Sequence, residues 1–347
     1  MFKKAIAALS AAAMCLGLWA CSADESGIKA AMVTSGMAIS DNHTNQSAWE
    51  GLERLEEEYR TDINNYRPQQ NDTESFMVGV KTLVEAGYNT IIFPGPLFAE
   101  AFEKACREYP SCTFIAVDCS VSSVPENGAV AVFDKSQAGF MAGLAAACQL
   151  ENARFGGVFG VSSEIEQELL AGFVQGINYA ADNLDINVTA DEDDLVFVGS
   201  RTDYPSGQRA AASLYDSGVN CLLVSSDPTG MGAAAEGTMR RQAGDDVWII
   251  GSDADYFQTA MYDTENKLSC ALTSAVCDYG DAVYDLVSRM IEGDSTMLGD
   301  YTVYGVSSGA VGLPEENLNI SKEALELCTS ALEEIKAGDI VIKNTIE

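Results

Sequence analysis

Short apolar runs alternate along this chain with longer stretches whose apolar residues recur at helical spacing. KAAMV (29–33), TIIF (90–93), TFIAV (113–117), RFGGVF (154–159), CLLV (221–224) and VWII (247–250) read as buried strands. In QSAWEGLERLEEEY, Trp49, Leu52 and Leu55, with Tyr59 one turn on, form the core-facing stripe of a helix. The pattern also repeats. LVEAGYNTIIF (83–93) and LYDSGVNCLLV (214–224) lie 131 residues apart. Each reads as a helix end, a glycine cap and a buried strand. A helix and a further strand follow each copy, ending at Asp118 in the first and at Asp253 in the second. A strand, a loop and a helix precede each copy.

Strand and helix in alternation predict an α/β protein with parallel sheets flanked by helices. The repeat predicts two such lobes. Their expected extents are 28–133 with 256–304, and 134–255 with 305–347, with crossings near 131–137, 252–257 and 304–309. DAVYDLVSRMIEG would return to the first lobe and SKEALELCTSALEEIKAG to the second. Parallel sheets place ligands beyond the C-terminal ends of their strands. The loops to watch are therefore 34–45, 94–96, 118–123, 162–166, 200–205, 225–230 and 252–256. Facing each other, they would form a cleft that closes on a small molecule by hinge motion.

The N-terminus sets the expected compartment. Lys3 and Lys4 precede the apolar run AIAALSAAAMCLGLWA, and Leu18-Trp19-Ala20-Cys21 ends it. This reads as a lipoprotein signal peptide over 1–20, with Cys21 carrying the lipid and 21–27 as a tether. Beyond residue 20 the chain has 18 basic and 52 acidic residues, a formal charge of −34. Such a surface is repelled by nucleic acid and by anionic headgroups, so contact with the membrane is expected through the lipid alone. Eight cysteines remain after Cys15 and Cys21, none in a CxxC pair. They are expected to be buried free thiols, with Cys106–Cys112 the one plausible bridge. A single histidine leaves little for a metal site, and no cofactor is expected.

The loops offer few catalytic groups. No GxSxG elbow and no GxxxxGK[ST] loop occurs. His43 is the only imidazole, and it reads as a loop residue that touches solvent or ligand. Asp118 and Asp253 stand at matched strand ends, where a carboxylate can accept hydrogen bonds from vicinal hydroxyls or ring N–H groups. Asn45, at the start of the first helix, reads either as a helix cap or as a group facing a heterocycle.

TNQSAWEGL closely resembles the start of the basic-membrane-protein family of lipoprotein substrate-binding subunits of ABC importers. The resemblance continues through LVEAGYNTIIFPG, FEKACREYPSCTFIAVD, AGFMAGLAAA, FVGSRTD, GVNCLLVSSDPTGMG, GSDAD and VYGVSSGAVGL. It implies the two-lobed type I periplasmic-binding-protein fold, a purine nucleoside-like ligand, an ABC permease as partner and no enzymatic activity. By that resemblance Asn45 and Asp118 would read the base edge, and Asp253 with the Thr229–Gly230 turn would hold the sugar. Five places depart from the family pattern. Thr44 stands where it has Phe, Arg201 where it has an aromatic, His43 where it has Ser, Cys277 about where it has the ribose-binding Lys, and Asp227-Pro228 before Thr229 where it has Gly-Gly. Arg201 could stack on a ring or pair with an acidic group. The departures keep a nucleobase, a flavin-like heterocycle and an anionic solute open as ligands. A sensor that presents its closed form to a membrane signalling partner is the other functional class.

Overall fold

The computed structural model describes residues 27–184 and 186–345. The expected signal peptide and Cys21, the expected site of the lipid, lie outside the described residues.

The first half runs β1 (Lys29–Val33), α1 (Thr44–Tyr59), β2 (Asp62–Tyr66), α2 (Thr73–Glu85), β3 (Thr90–Pro94), α3 (Ala99–Glu108), β4 (Thr113–Val117) and β5 (Gly128–Phe133). The second runs α4 (Lys135–Gln149), β6 (Arg154–Phe159), α5 (Glu164–Leu184), β7 (Thr189–Phe197), α6 (Tyr204–Asp216), β8 (Cys221–Val224), α7 (Pro228–Ala243) and β9 (Trp248–Asp253). The remainder is β10 (Met261–Asp263), β11 (Leu268–Ser269), β12 (Ala271–Cys277), α8 (Tyr279–Ile291), β13 (Tyr301–Tyr304), β14 (Val311–Gly312) and α9 (Lys322–Ala337).

Two six-stranded sheets result, ordered β13-β5-β4-β3-β1-β2 and β14-β12-β9-β8-β6-β7. All pairings in them are parallel except β12 with β14. The two orders superimpose rung by rung, so the α/β two-lobed reading holds. β3 and β8, the strands of the repeated segments, occupy equivalent rungs, as do β4 and β9. Gly87 (φ 94°) and Gly218 (φ 98°) both take the left-handed cap conformation. In each, the next residue's N–H returns to a leucine carbonyl, Tyr88 to Leu83 and Val219 to Leu214. The repeat therefore encodes the same helix stop twice.

One lobe boundary falls elsewhere than expected. The reading assigned 256–304 to the first lobe, but β12 pairs with β9 in the second sheet, with Ala275 opposite Ser252. Between these strands no helix occurs; a short antiparallel pair, β10–β11, stands there instead. The strand–helix alternation breaks at that point, so the change of lobe was placed one strand too early. The chain crosses at Asp278, and α8 then packs on α1.

The cores are apolar and close-packed. Leu52 and Leu55 of α1 are wholly buried, while Trp49 is half-buried and donates its indole N–H to Glu53. Helices α4 and α5 cross so closely that a Cβ on Gly172 would overlap the Ser136 carbonyl oxygen. The eight cysteines are free thiols, Cys106 and Cys112 included. None of the described helices is long and apolar enough to cross a membrane.

Candidate ligand cleft

Two carboxylates define the meeting point of the lobes. Asp118 follows β4 and Asp253 ends β9, and both are left-handed, at φ 59° and 66°. A non-glycine residue in that conformation costs roughly 1–3 kcal/mol, and such strain concentrates at functional sites. The same conformation at equivalent rungs of both sheets brings both carboxylates to one lysine where the lobes meet, and of the two only Asp253 lines the adjoining cavity.

Lys135, the first residue of α4, joins them. Its Nζ lies 3.0 Å from Asp118 Oδ2 and donates to Asp253 Oδ1, and its side chain is only 3% exposed. The Tyr279 hydroxyl donates to the same Asp118 oxygen at 2.9 Å, and the Ser226 hydroxyl donates to Asp253 Oδ2 at 2.5 Å. Burial alone would lower the Lys135 ammonium, but Asp118 and Asp253 raise it well above its ordinary value. Burial likewise works to raise the Asp253 carboxyl, and Lys135 and Ser226 outweigh it and hold the group below its usual range. Lys135 and Asp253 are therefore a charged pair, and the same ammonium also lies against Asp118. Cys277 lies beside the ammonium, which raises no charge on the thiol because burial pushes the thiol up.

A cavity of about 240 Å³ adjoins this cluster. His43, Thr44 and Ser47 line it from the first lobe, and Asp253, Gln258 and Cys277 from the second. The His43 ring meets the buried Tyr256 ring edge-on, with centroids 5.2 Å apart. Tyr256 is fixed by its N–H to Ser274 Oγ (3.0 Å) and by its hydroxyl to the Ser225 carbonyl (3.3 Å).

The other expected site residues serve the loops. Asn45 is wholly buried; its amide donates to Ser35 Oγ (3.0 Å) and Asp41 Oδ2 (2.7 Å), and its Oδ1 accepts from the Ser35 N–H (3.1 Å). It thus braces the loop after β1, and neither the helix-cap reading nor a direct ligand contact describes it in this geometry. The N-cap is His43, two residues earlier. The Thr229 hydroxyl donates to the Ser200 carbonyl at 2.5 Å, and the Gly230 N–H donates to Asp227, the cap of α7. Arg201 pairs with Glu166 Oε1 at 2.6 Å and lies 3.7 Å from Asp227 Oδ2. Arg201, Thr229 and Gly230 therefore share one loop network in the second lobe and do not line the cavity with His43, Thr44 and Asp253.

Lys135 and Tyr256 escaped the sequence reading. One signal for Lys135 was present: it is the only basic residue between Arg107 and Arg154, and it opens an otherwise apolar helix. Tyr256 sits three residues past Asp253 with nothing in its spacing to mark it.

Comparisons with known proteins agree with this architecture. A protein from Aeropyrum pernix K1, described as an ABC transporter system solute-binding protein, shares the fold at TM-score 0.70 and 18% identity, over 92% of this chain and 94% of its own. The CD4+ T-cell-stimulating antigen of Listeria monocytogenes is 28% identical over 90% of this chain and 87% of its own. The ABC transporter nucleoside-binding protein BmpA of Lactococcus lactis is 25% identical over 91% and 89%. The profile of the Bmp family, described as ABC transporter substrate-binding protein PnrA-like, matches residues 28–345. With nearly the whole described chain matched, and with paired sheets whose strand ends converge on one cleft, this protein belongs to the Bmp family of PnrA-like ABC-transporter substrate-binding proteins.

Proposed function

We propose that this chain, anchored outside the membrane by a lipid on Cys21, captures a neutral heterocyclic solute bearing hydroxyls, of the purine nucleoside kind. Closure of the two lobes would then present it to an ABC permease. The observation that carries this reading is the pair of strained carboxylates, Asp118 and Asp253, brought to one lysine from opposite lobes. Ionised carboxylates accept hydrogen bonds from hydroxyl and ring N–H groups, and a mismatched solute leaves such buried groups unpaired. The nucleoside named in the Lactococcus relative's description points the same way.

The wide share of loop-bracing bonds in the second lobe fits a clamp of rigid parts. Arg201, Thr229 and Gly230 hold the β7–α6 and β8–α7 loops in place, so closure would move the lobe as a unit. The test is thermal unfolding of the non-lipidated protein with inosine, guanosine, adenosine, their free bases, riboflavin and nucleoside monophosphates. A nucleoside bound at a hundred times its Kd stabilises by about 2.7 kcal/mol. Stabilisation by the nucleosides, abolished in Asp253→Ala, is expected. Stabilisation by the monophosphates or riboflavin alone would refute the reading. Labelling of Cys21 by radioactive palmitate in cells, lost in Cys21→Ser, tests the anchor.

A further inference from the structure

We propose that His43 contacts the captured solute through a ring nitrogen, and that closure over the solute requires the imidazole to be neutral, so that capture weakens as the surroundings acidify. This rests on the reading that the cleft closes on a solute and adds to it a specificity residue and a proton coupling.

Four observations place His43 in that role. Although it is the N-cap of α1, its side chain caps nothing. Asp41 takes that duty, its Oδ1 accepting the N–H groups of His43 (2.9 Å) and Gln46 (3.1 Å). The ring is held across the cleft against Tyr256 of the other lobe. Both ring nitrogens are buried and neither has a hydrogen-bond partner. A neutral imidazole offers one donor and one acceptor, and burying both unmade is unfavourable. His43 also lines the cavity with Asp253 and Gln258, so a turn of the ring would bring a nitrogen to a hydroxyl or ring nitrogen of a solute placed there.

The charges around the ring decide the sign of the coupling. Asp41 on its own loop and Asp253 on β9 favour the imidazolium, but burial outweighs them and lowers the group below its ordinary value. The remaining ionisable groups on the cavity wall are Glu50, Asp255, Asp278, Cys277 and Tyr279, with Tyr256 against the ring. Asp253 is already neutralised in part by Lys135. In an opened cleft the ring would meet water and titrate near about 6.5. A group whose value is lower in the closed form releases its proton on closure. Closure is then unimpeded above about pH 6.5 and loses up to about tenfold in affinity per unit below it, until the closed-form value is reached.

The test uses untagged protein, whose one histidine gives a single imidazole NMR signal. That signal is expected to titrate lower in protein saturated with its solute than in free protein, and an equal or higher value in the saturated protein overturns the proton coupling. Calorimetry with inosine, guanosine and adenosine between pH 5 and 8 then compares wild type, His43→Gln and His43→Phe. His43→Gln is expected to bind within a few-fold of wild type at pH 8 and to lose the pH dependence. His43→Phe, which keeps the edge contact but no polar atom, is expected to bind at least tenfold more weakly at pH 8. Wild-type affinity in His43→Phe, or an unchanged pH slope in His43→Gln, overturns the contact. Failure of all three nucleosides to bind wild-type protein defeats the nucleoside reading instead, and the same variants are then compared with the solute that mass spectrometry finds bound to protein purified from cells.

Discussion

Replacing Lys135 with methionine keeps the length of the side chain and deletes its charge. Its ammonium now bridges Asp118, at 3.0 Å, and Asp253, with 3% of the side chain exposed. In Lys135→Met the two carboxylates keep only the hydroxyls of Tyr279 and Ser226. Removing one partner of a buried ion pair typically costs about 3–5 kcal/mol. The variant has an escape, because one carboxyl can take up a proton. From an ordinary Asp value of about 3.9, that costs about 4 kcal/mol at pH 7 and about 1.5 kcal/mol at pH 5. The destabilisation is therefore expected to be about 3–4 kcal/mol at pH 7, a fall in the unfolding midpoint of roughly 6–16 °C, and less than half of that at pH 5. Wild type behaves in the opposite sense. The Asp253 carboxyl lies below its usual range, so its contribution is complete above the unfolded value and is lost as pH falls through the folded one. Scanning calorimetry of wild type, Lys135→Met and Lys135→Met/Asp253→Asn at both pH values reads this. The double variant should recover most of the loss. A pH 7 cost under about 0.5 kcal/mol, or an equal cost at pH 5, would refute the argument that the lysine is there to neutralise two buried charges.

Three other substitutions probe the scaffold of the cleft. Gly172→Ala drives a methyl into the Ser136 carbonyl at the α4–α5 crossing, and should destabilise by about 1–3 kcal/mol in denaturant titration. Asn45→Ala removes three bonds to Ser35 and Asp41 and should cost about 1–3 kcal/mol, with amide exchange quickening across residues 34–45 and little change elsewhere. Arg201→Phe, which restores the aromatic the family resemblance implies, strips Glu166 and Asp227 of their cation. It should lower stability by about 1–2 kcal/mol and fail to tighten nucleoside binding in calorimetry unless Glu166 is neutralised as well.

The sequence revealed most where its signal was local or repeated. The helix stops at Gly87 and Gly218 and the strand-end aspartates lie 131 and 135 residues apart respectively, and each pair occupies matched rungs. Hydrophobic period and turn chemistry act over a few residues, so a duplicated fold writes them twice. What stayed hidden depends on contacts distant in sequence. Lys135 meets Asp253 across 118 residues, and no spacing announces such a pair. The amide of Asn45 is used by Ser35 and Asp41, two polar residues in a loop rich in them. Arg201 was read as open to a ligand because its partner Glu166 lies in another element, at the start of α5. The boundary at 256–304 failed for a related reason: β12 returns to its sheet through a loop that has no helical period to mark a crossover.

The placement of that lysine also narrows what the cleft can hold. Both Lys135 and Tyr279 bond one oxygen of Asp118, while Lys135 and Ser226 take different oxygens of Asp253. A solute that reaches Asp253 must bring donors of its own, since an added acceptor would face its carboxylate. Two like charges 4 Å apart repel by about 4 kcal/mol at the effective dielectric of a protein surface. That ceiling is nearly a thousandfold in affinity; the pairing of Asp253 with Lys135 lowers it, and the cavity-lining residues include no further Lys or Arg. Arg201, the one residue that kept an anionic ligand plausible on sequence grounds, is already paired with Glu166 and lies next to Asp227. A phosphate or carboxylate on the solute would have to displace a carboxylate from that arginine or enter beside two others. Hydroxyls and ring N–H groups meet neither obstacle, so the proposed nucleoside is expected to bind in preference to its monophosphate.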